Sequence, residues 1–319
     1  MNPIVLEMAV KGTSVLGFIS VSAMFLIWWE RKVSAHIQNR MGPTTVGWHG
    51  ALQSIADSIK LLLKENIVPS GVDKLVWWLA PFFVVVPSVA AFVAIPFGEN
   101  LIVRDLNVGV LYISSVTAVC VLGIFMAGWG SNNKYSLLGG MRSAAQIISY
   151  EVPLLLSITL VVMEAGTLSM QEIVAAQHNG WFIFKPHLAL ACIVYLISST
   201  AEVNRVPFDI PEAESELGAG YHTEYTGMKF AMFFVAEYTN LVIVSAVAAT
   251  IFFGGWSGPW LPPVVWFLLK TYGLVFLSMW VRWTLPRVRM DQMMSFAWKF
   301  LTPLSLVNIL VSGWFMVAR

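Results

Sequence analysis

Cysteine is nearly missing from this sequence: Cys120 and Cys192 each stand alone in separate apolar runs. That excludes the clustered thiolates that an iron–sulfur centre or a structural zinc requires. His36, His49, His178, His187 and His222 are scattered outside the long apolar runs, so none is placed to serve as the axial ligand of a membrane haem. No Gly-rich nucleotide loop is present. If the chain takes part in redox chemistry, the flavin, haem or cluster belongs to a partner. Charge is also scarce: 12% of residues are charged and the net charge is +1, which says nothing in favour of a nucleic-acid partner. No cleavable signal peptide is evident, because the first apolar run leads straight into a basic loop without a small-residue cleavage pattern.

What the chain has in excess is apolar surface, with 57% hydrophobic residues and a mean hydropathy of +0.73. Such a balance marks an integral membrane protein. Apolar runs fall near Thr13 to Trp29, Leu75 to Phe97, Val108 to Gly128, Ile147 to Met163, Leu188 to Thr200, Phe230 to Phe253, Val264 to Trp283 and Phe296 to Val317. Each approaches the ~20 residues that cross a bilayer as a helix, and the short Leu188 run can extend at either end. The expected fold is all-α, a single polytopic membrane domain of about eight transmembrane helices. Loops after the odd-numbered spans hold 14 of the 19 Lys and Arg residues. The positive-inside rule therefore puts those loops on the cytoplasmic side and both termini opposite.

The residues from Glu202 to Tyr238 concentrate the acids: Glu202, Asp209, Glu212, Glu214, Glu216, Glu224 and Glu237. Pro207 and Pro211 bias the backbone before them toward extended geometry, and Pro211 suits a first helical turn. Asp209 is then expected as an N-cap, with Glu212 and Glu216 on one face of a short helix that Gly218 and Gly220 stop. Glu237 lies eight residues beyond Lys229 in the sixth span, roughly 12 Å deep at ~1.5 Å per residue. An acid that deep is costly unless it is neutral or paired, which makes it either a functional candidate or a buried structural acid. Glu151 sits just inside the fourth span beside Pro153, either snorkelling or functional.

Earlier in the chain, Trp28 and Trp29 look like interfacial anchors followed by Glu30, Arg31 and Lys32. Beyond that anchoring role, Arg31 and Arg40 are suited to hold an acidic partner or a polar headgroup. From Leu52 to Glu65, within an expected interfacial helix of about residues 50–65, Leu52, Ile55, Ile59, Leu62 and Leu63 share one helical face and Gln53, Asp57, Lys60 and Lys64 another. Such a helix lies in the interface, as an anchor or as the lip of a cavity reached from the lipid.

The segments WERKV, QNRMGP, SYEVP, NRVPFDIPEAESEL and GYHTEYTGMKFAMFF, in that order, resemble a family of membrane subunits of bacterial proton-pumping NADH:quinone oxidoreductases (respiratory complex I), the family whose mitochondrial counterpart is NADH dehydrogenase subunit 1. The resemblance covers essentially the whole chain and implies a component of the inner membrane that closes the membrane side of a quinone chamber. The substrate it implies is ubiquinone or menaquinone. Its implied partners are the hydrophilic quinone-site and terminal-cluster subunits and the small and antiporter-like membrane subunits. Arg31, Arg40, Ile55, Ile59, Lys229 and Phe230 then match the entrance and chamber, with Arg205 and Phe208 beside the acids. Glu202, Asp209, Glu212, Glu214, Glu216 and Glu224 match the acidic loop near the headgroup, about residues 202–228. Glu151 and Glu237 match buried acids that pass the coupling signal onward. Two other readings remain open: the anchoring subunit of a membrane-bound hydrogenase-type complex, and an independent ion-coupled transporter, for which inverted repeats are expected and none is found.

Overall fold

The computed structural model describes residues 3–99, 101–211 and 214–317, and for residues 3–5, 214 and 215 the backbone course only. It is built of helices: α1 (Pro3–Ile37), α2 (Gln53–Leu63), α3 (Lys74–Ala91), α4 (Gly109–Gly130), α5 (Lys134–Ala165), α6 (Met170–Ala176), α7 (Pro186–Glu202), α8 (Glu214–Leu217), α9 (Gly227–Phe252), α10 (Pro263–Thr284), α11 (Met290–Phe296) and α12 (Thr302–Val317). A π-helical turn, Ala297–Leu301, joins α11 and α12 into one rod. No strand occurs among the described residues, as the all-α expectation requires. Apolar chain in a bilayer has no water for its backbone groups, and helices satisfy them internally.

Among the described residues seven helices are long and apolar enough to cross a membrane: α1, α3, α4, α5, α9, α10 and the α11–α12 rod. The 17 residues of α7 make the eighth apolar helix, at ~1.5 Å per residue about 26 Å long. Two boundaries differ from those expected. α1 runs well past its apolar stretch at both ends, and α5 starts at Lys134, so the loop expected before the fourth span shrinks to three residues. The cause is local: the Asn133 side chain caps the N–H of Tyr135 at 2.9 Å, and Gly128 lets α5 lie close to α4, since a Cβ there would stand 2.8 Å from the Ser136 carbonyl oxygen.

α9 is the central rod. It packs on α1, α3, α7 and α10, and the end of α2 abuts its first turn. Gly227, at φ +57°, allows that approach, and the Thr226 hydroxyl receives the Ile67 N–H at 3.0 Å and donates to the Glu65 carbonyl. The amphipathic helix is therefore held at the basic end of the bundle, close to its expected limits, with Ile55, Ile59 and Leu62 exposed along one side. In a membrane, where lipid is as apolar as the side chains, such close packing and hydrogen bonds hold helices together.

Candidate functional site

On α1 a buried stripe runs through Ile19, Ala23, Leu26, Glu30 and Ser34, spaced three to four residues apart. Glu30 thus points into the bundle, while Arg31 next to it faces outward. α7 ends in a reverse turn made by Asn204 at φ +54°: the Asn204 N–H returns to the Ala201 carbonyl and the Arg205 N–H to that of Thr200, both at 3.1 Å. This is a Schellman closure, and Asn tolerates its left-handed residue. The turn sends the Arg205 side chain inward, where it is 1% exposed.

Arg205 Nη1 donates to Glu30 Oε2 at 2.7 Å, and its Nη2 lies 3.0 Å from Glu237 Oε1, an ion pair without the alignment of a full hydrogen bond. Arg282 of α10 binds the other oxygen of Glu30, and the Arg205 guanidinium lies over the Tyr238 ring at 4.7 Å. Four helices or helix ends thus converge on two acids and two arginines. A buried charge of this kind persists only when every member is paired. Glu237, ten residues into α9, meets a fixed counter-charge at that depth.

Beside the network opens a cavity of about 290 Å³ lined by Glu30, Arg31, His222, Glu237, Tyr238 and Arg282, among others. Its size is near the lower end for ligand pockets, ~300–1,000 Å³, and its wall carries both signs of charge and aromatic rings. His222 sits edge-on to Phe230 and Phe234, and burial pushes its imidazole down to about 4. It is held there because Gly139 lets the preceding turn rest on α5: a Cβ at Gly139 would stand 2.9 Å from the Tyr221 nitrogen. A second cavity, of about 40 Å³, touches Glu237 on one side and Glu202 on the other, and a third, of about 30 Å³, continues from Glu202 to Tyr195 and Ser114. Glu202 and Glu151 are close enough for their charges to interact. Among the described residues neither has a cation partner.

The remaining expected residues are dispersed. Asp209 caps no described helix; it pairs with Arg287 at 3.1 Å, and burial pushes its carboxyl above the usual carboxylate range against that pull. The helix expected after Pro211 is the single turn α8, starting at Glu214, whose side chain lies outside the described residues, as does Glu212 altogether. Glu216 pairs with Arg142 at 2.7 Å, which holds it below the usual range. Glu224 accepts from Asn133 at 2.7 Å. Phe208 is buried against Tyr150. Arg31 pairs with Asp57 at 2.7 Å; burial works against the Asp57 carboxylate, yet Arg31 and Gln53 hold it below its usual range. Arg40 donates to Gln38 at 2.7 Å, and Lys229 is buried between Trp77 and Trp78, 3.4 and 3.6 Å from their ring centres. No group of three or more His, Cys, Asp or Glu able to hold a metal occurs among the described residues.

A family model described as NADH dehydrogenase matches residues 10–313. The chain belongs to that family. It is 54% identical over 297 residues to the H subunit of the NADH-quinone oxidoreductase of Dehalococcoides mccartyi (strain CBDB1), covering 93% of this chain and 83% of the relative. To the H subunit numbered 1 of Geobacter metallireducens it is 48% identical over the whole of both chains, and to the one numbered 2 of Geobacter sulfurreducens 47% over 99% of each. This NADH dehydrogenase family member is therefore a membrane component of an oxidoreductase complex, with other subunits as its partners. Its site also contains residues that sequence reasoning passes over: Glu30, His222, Tyr238 and Arg282. For Glu30 a signal exists, since it continues the small and apolar positions 19, 23 and 26 of α1. Arg282 counts among the basic loop residues, and nothing in its surroundings distinguishes it from the other arginines there.

Proposed function

We propose that this chain forms the membrane side of the quinone chamber in a proton-translocating NADH:quinone oxidoreductase of the bacterial inner membrane, with the basic end of the bundle toward the cytoplasm. The hydrophilic subunits deliver electrons and complete the chamber, and the membrane subunits beyond take up the coupling signal. The observation that carries this reading is the mixed-charge cavity resting on the Glu30–Arg205–Glu237–Arg282 network. Arg31 and the α2 face at Ile55 and Ile59 frame the entrance, together with Lys229 and Phe230, and the acids from Asp209 to Glu224 lie toward the headgroup.

Reducing a quinone to a quinol takes two electrons and two protons, so negative charge builds in the cavity before protons arrive. Arg31 and Arg282 line that cavity, and Arg205 lies behind it, paired with Glu30 and Glu237. As that charge draws on Arg205, its hold on Glu237 weakens, and Glu237 takes up a proton that passes to Glu202 across the small cavity both acids line, and from there to Glu151. Closely coupled carboxylates suit such a relay, because the proton affinity of each depends on the charge of its neighbours. Glu237→Gln tests it. The amide keeps the side-chain shape, so the complex assembles, while quinone-linked NADH oxidation and proton uptake into vesicles both fall. Wild-type values for both in the assembled mutant refute the relay.

A further inference from the structure

We infer that Asn204 is a positioning residue that holds a water molecule between Glu237 and Glu202. The inference rests on the relay proposed above. The cavity touching both acids has a volume of about 40 Å³, against the ~10–15 Å³ that one water needs. Asn204, Asn240 and Thr117 line it together with the two acids, so a water there has the two to four polar partners that keep it ordered. One end of the Asn204 amide is engaged with Ser143 Oγ at 3.0 Å; the other, Oδ1, is buried without a hydrogen-bond partner. Whichever way the amide is turned, one polar atom stays free on the cavity side. A buried amide left unpaired is costly, and a bridging water removes that cost.

The step it serves is a proton exchange. The Glu237 carboxyl gives its proton to the water while the water gives one of its own to the Glu202 carboxylate. The water is unchanged, Glu237 is left anionic beside Arg205, and Glu202 is neutral. Without a held water, the two carboxyls must meet directly or wait for a solvent molecule to enter.

Asn204 also has a purely conformational role, as the left-handed residue of the turn that ends α7. The test must separate the two. Asn204→Gly keeps the turn, because glycine adopts positive φ freely, and deletes the amide. In the assembled complex, quinone-linked NADH oxidation falls roughly two- to twelve-fold, the range of one net hydrogen bond. The solvent deuterium isotope effect on that rate rises, and NADH oxidation by artificial acceptors stays at wild-type level. Asn204→Asp retains shape, turn and an oxygen that accepts from the water, so its isotope effect stays at the wild-type value. A merely structural Asn204 leaves the isotope effect unchanged in Asn204→Gly as well. Wild-type rate and isotope effect in Asn204→Gly, with Glu237→Gln impaired, overturn the role of Asn204 and leave the relay standing. If Glu237→Gln is wild-type as well, the relay itself falls. Should Asn204→Gly not assemble, a wild-type rate and isotope effect in Asn204→Ala overturn the inference.

Discussion

Replacing Arg205 with methionine removes the cation that two buried acids share while keeping a side chain of similar reach. Glu30 retains Arg282, but Glu237, whose side chain is only 16% exposed, loses its ion pair. Removing one partner from a buried pair costs ~3–5 kcal/mol, because the other charge is left uncompensated. The cation–π contact with Tyr238 adds ~0.5–2 kcal/mol to the loss. In Arg205→Met/Glu237→Gln the stranded charge is gone, and most of the penalty goes with it. The double mutant is therefore more stable than Arg205→Met by at least ~2 kcal/mol, although it carries one more substitution. Arg205→Lys falls between, since a single ammonium cannot address two carboxylates as the guanidinium fork does. Equilibrium unfolding of the purified chain in mixed micelles, read from its 14 tryptophans, measures the wild type, Arg205→Met, Glu237→Gln, the double mutant and Arg205→Lys. Additivity of the two single substitutions within ~0.5 kcal/mol refutes the claim that Arg205 and Glu237 stabilise each other.

Arg31→Ala, or Ile59→Asp on the exposed face of α2, is expected to impair quinone-dependent turnover while artificial acceptors still work; equal loss of both activities in the assembled complex argues against an entrance role. Asp57→Asn, which releases Arg31, acts in the same direction on quinone KM, and because the pair is half exposed its loss changes stability by under ~1 kcal/mol. His222 makes stability depend on pH. Burial holds its imidazole at about 4, against 6.5 in the unfolded chain, so the unfolded state binds the additional proton between those values. Stability is full above pH 6.5 and falls as pH drops toward 4, by up to ~3 kcal/mol. Unfolding measured from pH 7.5 to 5 shows this slope in the native chain and a shallower one in His222→Gln; identical slopes count against a neutral buried imidazole lining the cavity beside Glu30, Glu237, Arg31 and Arg282.

Apolar length, the shortage of thiols and the placing of Lys and Arg were determined by sequence alone, and so was the all-α membrane fold, because a bilayer accepts few solutions for an apolar chain. The amphipathic α2 was legible for a related reason: a helical period in apolar residues is a property of consecutive positions. So was the place of Glu237 within its helix, which follows from counting residues along one rod. Its partner was not. Arg205 is 32 positions away, and only the Asn204 turn together with the packing of α1, α7, α9 and α10 brings it within 3.0 Å of Glu237 and 2.7 Å of Glu30. The N-cap role expected of Asp209 is not seen on any described helix for the same reason, since Asp209 found Arg287 from another segment. Secondary structure and burial depth are written in local sequence, whereas charge pairing depends on which distant segments the tertiary packing sets side by side, and in a low-dielectric interior that pairing decides what each acid can do.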